Sequence, residues 1–282
     1  MFLEMFSVPL AALAQITWDV SPEIIRLGPL PLRWYSLGWL LAFGVGFYLV
    51  KSTYLKEGKP EADLETVLLY MILGAIIGAR LGHCFFYRPE YYLANPIEII
   101  AFWKGFRGLA SHGGTLGIMV SLFIYCRRHP DQPYLWLLDR VAGPTALGGF
   151  FIRMGNFMNS EILGLPSDAP WAIVFSRVDN IPRHPAQLYE ALSYLLIFFL
   201  MTFIYRRKGP NIPHGLLIGT FFIALFGARF LIEFFKERHA AFEAGLPLSM
   251  GQRLSIPMVL LGVFLVFSAL KTKKGNPGGA AG

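Results

Sequence analysis

Apolar residues along this chain come in long blocks, at approximately 34–50, 65–87, 112–126, 134–152, 187–205, 213–232 and 252–270, separated by short polar connections. At a rise of about 1.5 Å per residue, about 20 helical residues cross a hydrocarbon core of about 30 Å, and several blocks approach that length. The pattern predicts an all-α polytopic integral membrane protein with about seven transmembrane helices. Barrel strands would alternate at period two, and these runs are too continuous for that. Block 112–126 is the shortest of the seven. Residues 1–18, largely apolar with Glu4 among them, offer an eighth segment; a cleaved signal peptide fits them poorly, because no basic residue precedes the run. The expected organisation is one membrane domain over 1–282, with an external head segment at 153–186 and a basic cytoplasmic tail at 271–282.

Composition agrees with the pattern. Apolar residues make up 55% of the 282 and charged residues only 15%, a balance that suits a chain whose main solvent is lipid. Charge then orients the bundle. With seven spans, the connections 51–62, 127–133 and 206–212 and the tail 271–282 share one side, and these 38 residues carry 11 Lys or Arg. The opposite stretches hold 10 in 112. The dense side is expected to be cytoplasmic, placing the N-terminus outside and the C-terminus inside. The formal charge of +7 is then mostly a topology signal and an attraction for anionic lipid. Nucleic acid is not an expected partner, because the basic residues sit in short helix-flanking clusters without a nucleic-acid module.

Cysteine and histidine usage excludes several chemistries. Cys84 and Cys126 lie within or at the end of apolar blocks and make neither a disulfide framework nor a CxxC pair, so packing is their expected role. A thiol nucleophile formed by Cys84 with the adjacent His83 is disfavoured, since neighbouring helical residues do not face each other. The six histidines include no HxxxH or HExxH, so no metal site is expected. Pro60, Pro133 and Pro213 fall at helix starts or their approaches, where a missing N–H costs little.

What remains is a set of polar residues in or beside apolar blocks: Arg80, His112, Asp139, Arg140, Arg153, Asn156, Glu161, His184, Gln187, Glu190, Arg229 and Glu233. Ionisable groups in that setting are expensive unless they bind something or pair, so these residues are expected to line an internal cavity open to the outer leaflet. Arg80, Asp139, His184, Gln187 and Glu190 are assigned structural polar roles; Asp139 and Glu190 can pair with an arginine or cap a helix. Gly105, Gly108, Gly113, Gly114 and Gly117 surround His112, where backbone N–H groups at a helix start favour an anion. His112 can serve as a base, as a structural or ligand-holding histidine, or as a metal ligand. Arg153 and Arg229 stay charged and can clamp anions or donate hydrogen bonds. Gly74, Gly78 and Gly82 recur every four residues, as in closely packed membrane helices.

At these residues the chain resembles the bacterial prolipoprotein diacylglyceryl transferases over nearly its whole length. The resemblance runs through Arg-Trp-Tyr35, Ala-Arg80-Leu-Gly, Ser-His112-Gly-Gly and Arg153-Met-Gly-Asn156-Phe-Met-Asn-Ser-Glu161-Ile-Leu-Gly164. It continues in His184-Pro-Ala-Gln187-Leu-Tyr-Glu190 and Arg229-Phe-Leu-Ile-Glu233-Phe-Phe. Two places depart from the family pattern. Phe151-Ile152 replaces an Ala-Gly pair, and His83-Cys84 follows Leu-Gly where a tyrosine is common.

The resemblance implies an enzyme of the bacterial inner membrane, with seven helices and an external head. It implies transfer of the diacylglyceryl group of phosphatidylglycerol to the lipobox cysteine thiol of a prolipoprotein signal peptide, forming a thioether and releasing glycerol-1-phosphate, with no cofactor and with the protein a monomer. In that chemistry His112, Arg153 and Arg229 are the catalytic set, the arginines holding the phosphate while His112 or a bound anion draws the thiol proton. Tyr35, Asn156, Glu161, Gly164 and Glu233 are the substrate-binding set. Two other readings compete: a transporter or anion channel, which predicts related half-sequences that are not visible, and a phospholipid hydrolase in which water replaces the thiol.

Overall fold

The computed structural model describes residues 16–28, 30–101, 108, 110–237 and 247–274. All seven apolar blocks are helical: α1 (Trp34–Lys56), α2 (Glu61–Tyr87), α4 (Ser111–Arg128), α5 (Tyr134–Met158), α6 (Ala186–Lys208), α7 (Leu216–Ile232) and α8 (Met250–Lys274), with the short α3 (Pro89–Ala94) between α2 and α4. Four of them, α2, α6, α7 extended to Phe235, and α8, are long and apolar enough to cross a membrane. In α1, aromatic and glycine residues dilute the aliphatic ones; α5 carries Asp139, Arg140 and Arg153; α4 opens on Ser-His-Gly-Gly and closes on two arginines. The protein is therefore a mostly helical, multi-pass membrane protein.

The all-α expectation needs correction. Five short strands occur among the described residues: β1 (Ile16–Trp18), β2 (Glu23–Leu27), β3 (Leu30–Arg33), β4 (Ile173–Phe175) and β5 (Pro182–Arg183). They were hidden because runs of two to five residues carry almost no periodic signal. Of the suggested eighth segment, residues 1–15 lie outside the described residues, and Ile16–Trp18 is a strand instead of a helix. Gly105 and tail residues 275–282 also lie outside them.

The described chain forms two compact units. One comprises residues 50–137, in which α2 packs along α4. A Cβ on Gly74, Gly78 or Gly117 would run into backbone carbonyl oxygens of the facing helix, and one on Gly82 would lie 2.8 Å from Gly113 Cα. The four-residue spacing thus has α4 as its partner, with the backbones in contact. At one end of this pair the fully buried Gln132 accepts hydrogen bonds from the Tyr54 and Tyr125 hydroxyls, at 3.0 and 3.1 Å, and donates to Asp63 at 2.6 Å.

The other unit comprises the described parts of residues 1–49 and 138–282. Here α1 approaches α5 where Gly38 faces Phe151 and Gly155 faces Tyr35, and α7 meets α8 at Gly219 and Gly262. Two helix starts are capped from side chains. Gly215, at φ +93°, turns the chain into α7, and its N–H and that of Ile218 donate to Asp139 at 2.7 and 2.8 Å. Ser249 and Gln252 form a reciprocal capping box at the start of α8, bonding each other's backbone N–H groups at 3.2 and 3.0 Å. Caps of this kind contribute about 1 kcal/mol each.

The strands β4 and β5, between α5 and α6, join β1 in a small sheet in the order β1–β4–β5, with β1 parallel and β5 antiparallel to β4. Its core is Phe157, Leu163, Ile173 and Phe175, with the Trp18 ring tilted against Phe157 at a centroid distance of 4.4 Å. Phe157 belongs to α5, so the sheet is anchored on the same helical turn that carries Asn156.

Candidate active site

The last turns of α5 present Arg153 and Asn156, and the helix stops at Met158 because the next residues leave helical space. Ser160 has φ +54° and Ile162 φ +58°. A left-handed conformation is rare for any residue with a Cβ and costs about 1–3 kcal/mol for a β-branched one. The strained turn is held on all sides. Glu161 N–H donates to the Asn156 carbonyl at 3.0 Å, and the Asn156 and Asn159 amides each donate to the Glu161 carboxylate at 3.2 Å. Gln187 Nε2 donates to the Glu161 carbonyl at 2.6 Å. Arg153 Nη1 in turn donates to Asn156 Oδ1 at 3.1 Å.

One face of α6 meets this turn. Gln187, Glu190 and Tyr194 recur at helical spacing, and Gln187 and Glu190 are both fully buried. Arg153 Nε lies 2.8 Å from Glu190 Oε2, an ion pair not aligned as a hydrogen bond. The Tyr194 phenol reaches the Arg153 guanidinium and also feels the charge of Arg229. Its ring has room because Gly149 on α5 lacks a side chain; a Cβ there would fall 2.6 Å from the ring.

A second buried cation completes the cluster. Lys236, directly after the 3₁₀ turn Glu233–Phe235, sits 3.4 Å from Glu190 Oε1 and 3.5 Å from Glu233 Oε2. Gly251 on α8 leaves space for the Glu233 carboxyl, which a Cβ would meet at 2.5 Å. Glu190 thus holds Arg153 with one oxygen and Lys236 with the other. Arg229, half-buried near the end of α7, has neither ion pair nor hydrogen bond among the described residues. Arg153 and Lys236 are thus paired with Glu190 and Glu233, while the exposed Glu161 carboxylate reaches Arg153 only through Asn156, so Arg229 is a cation that no carboxylate pairs among the described residues, a position suited to an anion.

The remaining sequence-derived candidates divide. Tyr35 stands at the α1 start against Gly155, within the electrostatic reach of Arg153, and its ring packs on Trp39. Gly164 serves backbone approach: its N–H donates to the His184 carbonyl at 3.2 Å, it bridges to Lys236, and a Cβ would meet Phe235 O at 2.8 Å. His184 Nδ1 lies 2.9 Å from the Tyr189 hydroxyl, which also accepts from Trp171 at 2.7 Å. Asp139 caps α7 as described and is not part of the cluster. Arg80, in the other unit, donates to the Ile99 and Glu98 carbonyls at 2.9 and 2.5 Å and lies over the Tyr92 ring. His112 is exposed in the first turn of α4, touching the Phe86 and Tyr87 rings at centroid distances of 5.7 and 5.8 Å and making no hydrogen bond among the described residues.

The departures from the family pattern also find places. His83 packs against Gly108, where φ is +71° and a Cβ would fall 2.6 Å from the imidazole. The Phe151 carbonyl oxygen lies where a Cβ on Gly38 would come within 2.8 Å of it. Cys84 and Cys126 are buried and unbridged. No group of His, Cys, Asp or Glu that could hold a metal ion occurs among the described residues.

Sequence reasoning passed over three residues that matter here. Lys236 directly follows the Arg229–Phe235 motif, a position readable as an extension of it. Tyr194 follows Glu190 by one helical turn, but among the apolar residues of α6 it reads as core. Arg183 is 9% exposed at its side chain; it donates to Asp179 at 2.6 Å and to the Gly164 carbonyl at 3.3 Å, and pairs with Glu237 at 3.3 Å. Its guanidinium holds the Asp179 carboxyl below the usual carboxylate range.

Comparison with known proteins matches the family model described as prolipoprotein diacylglyceryl transferase over residues 22–268. A phosphatidylglycerol–prolipoprotein diacylglyceryl transferase of Chloroherpeton thalassium is 51% identical over 256 residues, covering 91% of this chain and 95% of its own. The protein of that name from Tolumonas auensis is 47% identical, covering 91% and 98%, and one from Bacteroides fragilis is 41% identical, covering 93% and 98%. The family match runs from before α1 into α8 and includes every residue of the charged cluster, and on that ground this chain belongs to the prolipoprotein diacylglyceryl transferase family.

Proposed function

We propose that this enzyme transfers the sn-1,2-diacylglyceryl group of phosphatidylglycerol to the lipobox cysteine thiol of a prolipoprotein. One observation carries the reading: Arg153 is fixed at the end of α5, its Nε paired with the buried Glu190 and its Nη1 held on Asn156, while Arg229 has no anionic partner among the described residues. Two such guanidiniums suit a phosphodiester, since each offers a fixed fork of donors to phosphate oxygens.

In this scheme the thiol sulfur attacks glyceryl C3. A carbon–sulfur bond forms and the bond from C3 to the phosphate oxygen breaks, so glycerol-1-phosphate leaves with the electron pair. Arg153 and Arg229 stabilise the charge that grows on the phosphate. The thiol proton passes to His112, whose ring has no hydrogen bond to surrender among the described residues, or to a phosphate oxygen. Tyr35, Asn156 and Glu161 hydrogen-bond the glycerol headgroup or phosphate; Gly164 keeps the adjoining backbone close, and Glu233 orients the cations. The nucleophile belongs to the substrate, which accords with buried, packed cysteines.

The reading treats residues 1–282 as one membrane domain of seven spans in a bacterial inner membrane, acting as a monomer. Residues 153–186 form its external head, and the tail 271–282 is cytoplasmic. The density of Lys and Arg in the connections 51–62, 127–133 and 206–212 supports this orientation. The deciding experiment supplies purified protein in phosphatidylglycerol micelles with a lipobox peptide. Glycerol-1-phosphate release is expected only when the peptide cysteine is present. Release without peptide would identify a hydrolase instead, and flux without turnover a transporter.

A further inference from the structure

We propose that Gln187 is a positioning residue for Arg153, acting through the strained turn at Glu161. Beside the Tyr194 phenol, α6 grips Arg153 along two routes that involve carboxylates. The direct one is the Nε ion pair to Glu190 at 2.8 Å. The second starts three residues earlier on the same helix: Gln187 Nε2 donates to the Glu161 carbonyl at 2.6 Å, Glu161 accepts from Asn156 Nδ2 at 3.2 Å, and Asn156 Oδ1 accepts from Arg153 Nη1 at 3.1 Å. The two routes close a ring on different atoms of one guanidinium. An ion pair by itself leaves that plane free to rotate about the bond it shares with the carboxylate, whereas a second anchor on Nη1 removes the rotation and leaves Nη2 with a defined direction.

Gln187 is suited to the task by its surroundings. It is fully buried, and its Oε1 has no hydrogen-bond partner among the described residues, so the side chain is kept there at the cost of an unsatisfied acceptor. Its single donor bond lands on the residue between Ser160 and Ile162, at φ +54° and +58°. A turn in that conformation persists only where its neighbours over-determine it, and the Gln187 amide is the donor that reaches it from another helix. Loss of this bond lets the turn relax, withdraws the Glu161 carboxylate from Asn156, and frees the Arg153 fork. A misplacement of about 1 Å in such a group can cost up to about 100-fold in rate.

The inference rests on the phosphate-holding role of Arg153, and its test separates the two. Gln187→Met keeps the volume and removes the donor, and Gln187→Glu keeps the shape but donates only when protonated. Both would be measured in the peptide assay beside Arg153→Lys, Asn156→Ala and the double variant Gln187→Met with Asn156→Ala. The expected result for Q187M is a fall of about 10-fold in kcat with KM for phosphatidylglycerol changed less than about 2-fold. Q187E should recover toward wild-type kcat as pH falls from 8 to 6, as protonation restores the donor. The double variant should be no slower than N156A, because both changes cut one chain. A folded Q187M with wild-type kcat, a multiplicative double variant, or a Q187E-to-wild-type ratio flat with pH overturns the positioning role. R153K at wild-type rate overturns the Arg153 reading itself, whatever the Gln187 variants do; should Q187M fail to fold, the near-isosteric Q187E decides.

Discussion

The α2–α4 seam and the charged cluster of α5, α6 and the end of α7 solve opposite problems in the same kind of solvent. Along the seam, Gly74, Gly78 and Gly82 meet Gly113 and Gly117 backbone to backbone, and Gly74 also leaves room for the Ser121 side chain. In the cluster, the buried Glu190 and Lys236 and the partly buried Arg153 and Glu233 are paired by charge, with Arg229 left over. Lipid gives helices little hydrophobic reason to associate, so close van der Waals contact is an inexpensive way to join two of them. Buried charges are a poor way to do so, because desolvation offsets most of the pairing energy. Where a protein keeps them and leaves one cation over, the arrangement suits binding an anion better than holding the fold.

The contrast can be broken first on the steric side. Gly117→Val places methyl groups where Gly74 and Gly78 backbone now lie, and should destabilise by more than about 3 kcal/mol, leaving little monodisperse protein after detergent extraction. Wild-type thermal stability of this variant would mean that the seam is not close-packed. On the charged side, Arg153→Lys and Arg229→Lys should fold and yet each lose about 3 kcal/mol of transition-state stabilisation, about 100-fold in kcat/KM. Near-normal turnover in both would make these arginines structural and erase the distinction between the two regions.

Smaller effects sharpen it. His112→Gln should slow transfer by about 10- to 100-fold, since the leaving phosphate can share the proton's destination; a loss far beyond R153K would make His112 the dominant group. The double variant Cys84→Ala with Cys126→Ala, both packed thiols, should keep more than about a tenth of the rate per folded protein. Loss of several orders of magnitude there would revive a covalent enzyme thiol. The smallest effect concerns Arg183 on β5 and Asp179 just before it. A carboxyl whose folded-state value is depressed stabilises above its unfolded value near pH 4 and loses that contribution as pH falls through the folded one. Melting curves between pH 6 and 3 should therefore drop more steeply for wild type than for Asp179→Asn, and parallel curves would remove the pair from the account.

Much of this was legible before any fold was known. The seven apolar blocks each became a helix, and the four-residue glycine spacing became a seam. Arg153, Asn156, Glu161, Gln187, Glu190, Arg229 and Glu233 stood out because ionisable and amide groups are rare in such runs. Arg80 stood out equally and instead ties down the Glu98–Ile99 backbone in the other unit. Tyr194 and Lys236 escaped notice, the first because a tyrosine in an apolar helix resembles core and the second because a lysine after a span resembles an interfacial charge.

By itself the sequence determined the class of molecule, the helices, the charge asymmetry and the family motifs, because each of these is written in residues close together along the chain. Tertiary structure alone decided that Glu190 bridges Arg153 and Lys236, that Asp139 caps α7, that α4 is the partner of α2, and that Ile16–Trp18 pairs with Ile173–Phe175 across more than half the chain. Those choices depend on which of several chemically equivalent partners the folded backbone brings within about 3 Å, a distance that no local pattern encodes.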